Sequence, residues 1–299
     1  MKQSFHSSPG SRPEVIVATP AFNEEKYIGT IILKARQYVD DVIVVDDGST
    51  DQTANVAKLA GATVIQHKQN KGKGIAIQSI LVEAKRKAPD ILVLLDADSQ
   101  HNPDEIPYLI KPIREGSDLV IGSRKEQADK TPRYRRIGQK ILLYSTRILS
   151  RKSLTDSESG FKALSWKAIS GIQLRENGFA IETEMIASAT DKHLKITQVP
   201  ISNIYTKDGS TLNPVRHGLG VLLRILAMIS ERRPLFFFGL GGGILTILGI
   251  MAGVRVLWIL SVGGVMPVGT ALISVLLLTI GMFSVFTGIV LHVLVRRRG

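Results

Sequence analysis

Cysteine is absent from all 299 residues, so neither a disulfide framework nor a thiolate zinc site can hold this chain together. Aromatic side chains make up only 6% of it. Lys, Asp and Glu vanish from residues 235–299, where Arg255 and Arg296 to Arg298 are the only charges. No Gly-x-x-x-x-Gly-Lys-Ser/Thr occurs, which argues against a P-loop ATPase. Residues 1–13 lack the apolar centre of a signal peptide and read as a flexible tail, so the part that follows is expected to stay on the side where it was made.

What is present is unevenly distributed. The chain carries 38 Lys and Arg against 26 Asp and Glu. Ten of the basic residues fall between Arg124 and Lys152, with only Glu126 and Asp129 to offset them. A nucleic-acid coat would be basic throughout, so no nucleic-acid partner is expected; one stretch faces something anionic, with phosphates or an anionic membrane surface as the natural partners. The alternative is a solvated charged face.

From Glu14 onward, β-rich runs alternate with amphipathic stretches. Strands are expected at Val15–Ala18, Val42–Val45, Ala62–Ile65, Ile91–Leu95 and Leu119–Gly122, and helices near Glu25–Tyr38, from Thr50 and over Gly72–Ala88. A further helix opens at Asn102-Pro103-Asp104-Glu105, with Asn as the cap and Pro in the first turn. Such alternation predicts an α/β head with a mostly parallel sheet covered on both faces. Residues 14–212 are assigned to it.

Residues 213–234 place Val215, Leu219, Leu222, Leu226 and Ile229 on one stripe and predict an amphipathic interface helix, with an ordinary core-packing helix as the alternative. The uncharged tail is too long for one span and is broken by Gly263, Gly264 and Pro267. Two transmembrane helices are expected, near 235–257 and 269–293. Arg255 would then snorkel at the far interface beside Trp258; a buried functional arginine is the alternative. Arg232 and Arg233 before the first span and Arg296 to Arg298 after the second put the head and the C-terminus in the cytoplasm of a multi-pass cell-membrane protein. Gly239, Gly243, Gly249 and Gly253 supply small-residue spacing for a homo-oligomer.

Ligands of open α/β sheets bind at the carboxyl ends of strands. Two acidic clusters follow strands here: Asp46-Asp47-Gly48-Ser49-Thr50-Asp51 and Asp96-Ala97-Asp98-Ser99-Gln100-His101. Asp-x-Asp suits a hard cation whose octahedron a substrate diphosphate completes, whereas a capped helix start is the plainer reading of either cluster. The first strand runs into Thr19-Pro20-Ala21-Phe22-Asn23-Glu24-Glu25 at the same edge.

Together these residues resemble the GT-A fold of the inverting family 2 glycosyltransferases, and within it the dolichol-phosphate mannose synthases and related polyprenyl-phosphate glycosyltransferases. The resemblance covers residues 15–212, and the two-span tail fits its membrane-anchored members. It implies transfer of a hexose from a GDP- or UDP-sugar to a polyprenyl or dolichyl phosphate, with Mg2+ or Mn2+ held by Asp96, Asp98 and Gln100. It further implies that Pro20, Phe22, Glu24, Asp46, Asp47, Lys73, Asp96, Ala97 and Lys207 bind the nucleotide-sugar. Asp98 and Arg124 would be catalytic, and Arg124, Arg133, Arg135 and Arg136 would contact the acceptor phosphate. Lys162, in Asp156-Ser157-Glu158-Ser159-Gly160-Phe161-Lys162, occupies a usual arginine position on the acceptor side, and Glu184 matches a recurrent acid, with a structural hydrogen-bonding residue as the alternative. Phe22 stands where relatives often carry tyrosine, and Gln139 or Lys140 where mannose synthases carry serine. The Gln-x-x-Arg-Trp of processive polysaccharide synthases is missing, since Trp166 and Trp258 follow Ser165 and Leu257. Two other readings stand beside this one: transfer to another membrane lipid such as diacylglycerol, which would need a general base, and a non-catalytic membrane scaffold with a transferase-like head.

Overall fold

Alternate residues of each central strand fall into two different cores. In the computed structural model, which describes residues 14–124, 156, 159–178, 180–202, 223, 225–231 and 233–297, seven strands form one sheet in the order β3-β2-β1-β4-β6-β5-β7. They are β1 (Val15–Ala21), β2 (Asp41–Asp46), β3 (Thr63–Gln66), β4 (Ile91–Leu94), β5 (Leu119–Arg124), β6 (Lys162–Ser165) and β7 (Ile196–Ile201). Val15, Val17, Val42, Val44, Ile91, Val93, Val120 and Ala163 face one way, onto α1 (Glu25–Ala35), α2 (Thr53–Leu59) and α4 (Ile106–Arg114). Ile16, Ala18, Ile43, Val45, Leu92, Leu94, Leu119, Ile121 and Leu164 face the other way, onto α3 (Lys73–Lys87), α5 (Trp166–Gly171) and α6 (Ile181–Asp191). Period-two alternation in strands apolar on both sides is what a sheet buried on both faces demands.

Local signals set the helix boundaries. Asn102 Oδ1 accepts from the Asp104 backbone N–H at 3.2 Å and opens a 3-10 turn, Pro103–Glu105, that runs into α4. Ser165 ends β6 and caps α5, its hydroxyl accepting from the Ala168 N–H.

The sheet is parallel except for β6, which runs antiparallel between β4 and β5. Leu94 and Ile121, near the carboxyl ends of their strands, therefore both pair with Lys162 at the amino end of β6. The chain thus leaves β5 and re-enters through 159–161 at the same edge of the sheet, the edge carrying both acidic clusters. The alternation pattern did not anticipate β6, because four residues are too few to show a clear strand period and its antiparallel direction departs from a βαβ succession.

The molecule divides into two compact units, Met1–Leu222 and Leu223–Gly299. In the second, residues 225–231 are helical, with Ile225, Met228 and Ile229 buried and Leu223 exposed. The expected stripe positions Val215, Leu219 and Leu222 lie outside the described residues. Two long helices follow, α7 (Pro234–Ser261) and α8 (Val268–Arg297), each with 28 residues apolar enough to cross a membrane. Both outrun their expected limits. Gly263, at φ 80°, turns the chain between them in a conformation that favours glycine. The two helices form a hairpin zipped by small residues: a Cβ at Gly281 would stand 2.7 Å from Gly242 O, and Ser274 Oγ donates to Gly249 O at 2.8 Å. Gly239 is met by Gly288 of α8, where a Cβ would stand 3.3 Å from Gly239 N, whereas Gly243 faces open space. Arg255 is exposed six residues before the end of α7, about 31 Å along the helix from Pro234, a full hydrocarbon thickness away.

Candidate active site

Asp96 leaves β4 at the centre of the edge and is gripped at once. Lys73 Nζ, from the first turn of α3, lies 2.8 Å from Asp96 Oδ1 and 3.1 Å from Oδ2. The same ammonium meets Glu182 Oε1 of α6 at 3.1 Å, and Glu182 Oε2 pairs with Lys162, whose ammonium also donates to Ser159 O. Charges thus alternate Asp96, Lys73, Glu182, Lys162 through a largely buried chain, the arrangement that makes burial of four ions tolerable. His101 Nε2 stands 4.0 Å from Asp96, with its ring 5.4 Å from that of Phe161.

The electrostatics follow the geometry. Burial raises the Asp96 carboxyl, but Lys73, His101 and Lys162 outweigh burial and hold it below its ordinary value. Burial lowers Lys73, and the two carboxylates more than reverse this, so it stays an ammonium. Asp98 is pushed up by burial and then by the Asp96 charge, although its Oδ1 accepts from the Gln100 N–H at 3.0 Å. Glu24 is raised to about 7, first by burial and then by Asp98, Asp51 and Asp96.

These upward shifts test whether a divalent cation fits. Glu24 and Asp98 are crowded by like charge that Lys73 offsets only in part at Asp98, and a cation beside Asp96 and Asp98 would relieve it further. Among the described residues, no three acids or histidines converge closely enough to hold an ion alone. The residues therefore fit an ion that takes two carboxylates, with the Gln100 amide within the same turn, and draws its remaining ligands from a diphosphate.

The other expected residues take varied places. Phe22 sits past the end of β1 with 43% of its surface exposed, open to a stacking partner. Pro20 lies in β1 opposite Val45, and Ala97 is buried between the two aspartates. Asp46 is fully buried; its Oδ1 accepts from the Ser49 N–H, and its Oδ2 has no hydrogen-bond partner among the described residues. Asp47 spends both oxygens inside the protein, on the backbone N–H groups of Lys71 and Gly72 and on His67 Nδ1 at 2.7 Å. These bonds tie β2 to the loop before α3. Lys162 is likewise turned inward and fully buried. Arg124 closes β5 by its backbone. Its side chain, together with Arg133, Arg135, Arg136, Gln139, Lys140 and Lys207, lies outside the described residues.

Glu182 was missed in the sequence, where only Glu184 was singled out; both acids stand in the first turn of α6, a position that usually reads as favourable to the helix dipole. Their burial, at 3% and 5% exposure, was the discriminating fact.

A family model described as glycosyl transferase family 2 matches residues 16–170. Glycosyltransferase AglJ of Haloferax volcanii is 33% identical over 243 residues, covering 79% of this chain and 78% of its own. A UDP-N-acetylglucosamine–dolichyl-phosphate N-acetylglucosaminyltransferase of Methanococcus voltae is 33% identical over 217 residues, covering 64% of this chain and 86% of its own. Among solved structures, glucosyl-3-phosphoglycerate synthase of Mycobacterium tuberculosis, in complex with Mn2+, UDP and glucosyl-3-phosphoglycerate, aligns with a TM-score of 0.57 at 26% identity, covering 73% of this chain and 79% of its own. With an acidic Asp-x-Asp edge on a Rossmann-like GT-A sheet and a matching family model across half its length, the chain belongs to glycosyltransferase family 2 and is a glycosyltransferase.

Proposed function

We propose that this protein transfers one hexose, with inversion, from a nucleoside diphosphate sugar to a polyprenyl or dolichyl phosphate at the cytoplasmic face of a membrane. The observation that carries the reading is the return of β6 beside β4. Arg124, where the ten-cation segment begins, and the 159–161 turn, which follows its last cation Lys152 by seven residues, thereby both stand at the edge that holds Asp96 and Asp98. Two anionic substrates must meet there, and clustered guanidinium and ammonium groups offset their repulsion. Relatives named for dolichyl phosphate, including a dolichyl-phosphate hexose transferase of Haloferax volcanii at 25% identity, support the acceptor class.

The donor occupies the β1–β2–β4 edge, its base beside Phe22 and its diphosphate toward Asp96, Asp98 and Lys73. A bound Mg2+ or Mn2+ supplies Lewis-acid stabilisation of charge on the departing diphosphate. The lipid phosphate, with a second pKa near about 6, is already a dianion at neutral pH and requires no general base. One of its oxygens attacks C1 as the C1–oxygen bond to the nucleoside diphosphate breaks, and the electron pair leaves with the diphosphate. Arg124, Arg133, Arg135 and Arg136 are assigned to the acceptor phosphate, and Lys207 to the donor. Arg232 and Arg233 before α7 and Arg296 to Arg298 at the end of α8 support a cytoplasmic head and C-terminus.

The test is transfer in detergent, with Mn2+ or Mg2+ and a short polyprenyl phosphate, from a panel of labelled GDP- and UDP-sugars. Label entering the organic phase from one donor supports the proposal and names the sugar. Equal transfer to a polyprenol lacking its phosphate refutes the acceptor assignment.

A further inference from the structure

Lys73 reaches Asp96 and Glu182 only if the first turn of α3 is held in place, and the fold holds it from two sides. On one side is Asp47, bonded to the N–H groups of Lys71 and Gly72. On the other lies a strap, residues 173–177. Gly74 N–H donates to Asn177 O at 3.1 Å, and Gln78 Nε2 donates to Glu176 O at 2.9 Å. The approach is so close that a Cβ on Gly72 would stand 2.7 Å from Asn177 O, and one on Gly74 2.7 Å from Asn177 Cα. Backbone packed on backbone transmits displacement with little give.

The strap is itself tied to α6. Glu184 Oε2 accepts from the backbone N–H groups of Arg175 and Glu176, both at 2.9 Å, and Ser188 Oγ, one turn on, accepts from the Gln173 N–H at 3.3 Å. Two residues before Glu184, the same helix presents Glu182 to the Lys73 ammonium. Helix α6 therefore grips Lys73 twice, through its charge and through the backbone that fixes where α3 begins.

We propose that Glu184 is a positioning residue for the donor pocket: by fastening the 173–177 strap to α6, it sets where the Lys73 ammonium stands between Asp96 and Glu182. The inference rests on reading Asp96 and Lys73 as donor-side groups. A buried carboxylate that accepts two backbone N–H bonds is a stiff anchor, because both bonds are charge-assisted. Misplacement by about 1 Å at a charged site is enough to weaken substrate binding and turnover.

The experiment uses the full-length protein in detergent, with calorimetric affinities for UDP and GDP in Mn2+ and separate KM values for donor and polyprenyl phosphate. Glu184→Ala is expected to weaken nucleotide binding about tenfold, the loss of one charge-assisted bond, and to raise the donor KM alike while the acceptor KM stands still. Glu184→Gln, whose amide oxygen still accepts both N–H groups, should stay within about twofold of wild type. Gly74→Ala, which lifts the strap without touching the acid, should reproduce Glu184→Ala. In a Lys73→Ala background, Glu184→Ala should cost less than about twofold more, because its effect passes through Lys73.

Full additivity with Lys73→Ala, an equal loss in acceptor KM, or a Gln variant as impaired as the Ala variant would overturn the inference. If Glu184→Ala does not fold, Gly74→Ala with wild-type nucleotide affinity overturns it instead. Wild-type protein that binds neither nucleotide refutes the donor-site reading and this inference with it, whereas wild-type binding with additive variants refutes the positioning role alone.

Discussion

Gly160→Ala should disable the site without removing any charged group. The α-carbon of Gly160 packs onto Asp96, so an added Cβ would stand 2.6 Å from Oδ1 and closer still to Oδ2 and Cγ. Ordinary carbon contacts are about 3.5–4.0 Å, so the carboxylate must swing away by roughly 1 Å or more. That swing breaks the Lys73 contacts at 2.8 and 3.1 Å. Hydrogen bonds to charged groups contribute about 1.5–3 kcal/mol; with both side chains partly hydrated, at 17% and 23% exposure, about 2 kcal/mol is the working figure. For a head of this size that lowers the melting temperature by about 4–8 °C. It also weakens Mn2+-nucleotide binding about thirtyfold. Thermal unfolding and calorimetric nucleotide titration of the same preparation read both. A Gly160→Ala protein with unchanged melting temperature and affinity would show that Asp96 does not depend on this glycine, and the packing argument would fall.

Asp98→Ala should cut transfer at least about a hundredfold and abolish its dependence on Mn2+, while leaving the fold as stable as wild type at pH 7, because burial and Asp96 already disfavour the Asp98 charge. Residual activity that still follows Mn2+ concentration would remove Asp98 from the metal site. Glu24 gives a pH signature: its folded pKa of about 7 lies above its ordinary 4.5, so the folded state binds the extra proton and stability falls as pH rises between those values. Melting curves from pH 5 to 8 should show that decline in wild type and lose part of it in Glu24→Gln, and parallel curves would refute the crowding of carboxylates. In the hairpin, Gly281→Leu should separate α7 from α8, since even a Cβ there meets Gly242 O and Thr246 N at 2.7 Å. Ser274→Ala, losing one hydrogen bond, should cost only about 0.6 kcal/mol, and unfolding in detergent distinguishes the two.

The strands that carry the candidate site were legible because each is an apolar run ending in an acidic residue: Val42–Val45 into Asp46, and Ile91–Leu95 into Asp96. Period and punctuation encode that much. Pairing direction is not encoded so locally, and β6, four residues long, gives no sign that it runs backward. Side-chain destinations were harder still. Asp47 follows a strand just as Asp96 does, yet three bonds of the loop before α3 and His67 consume it. Glu182 and Glu184, two positions apart on one helix, serve an ammonium and a backbone strap respectively. Those assignments depend on what lies across the sheet edge, information a linear pattern does not hold. The hairpin shows the same limit: the glycine spacing was plain, but only packing distinguishes the glycines that seat α8 from those that face outward.

The reversed strand also bears on how such enzymes diversify. Because β5 ends and β6 begins at one rim, the two strands that bracket the intervening 37 residues stand side by side. Changes confined to residues 125–155, short of the Gly160 that packs on Asp96, leave the strand pairings and the Asp96–Lys73 grip free of direct disturbance. On the acceptor and donor assignments proposed above, recognition of the recipient can drift between lineages while the edge assigned to the activated sugar is kept.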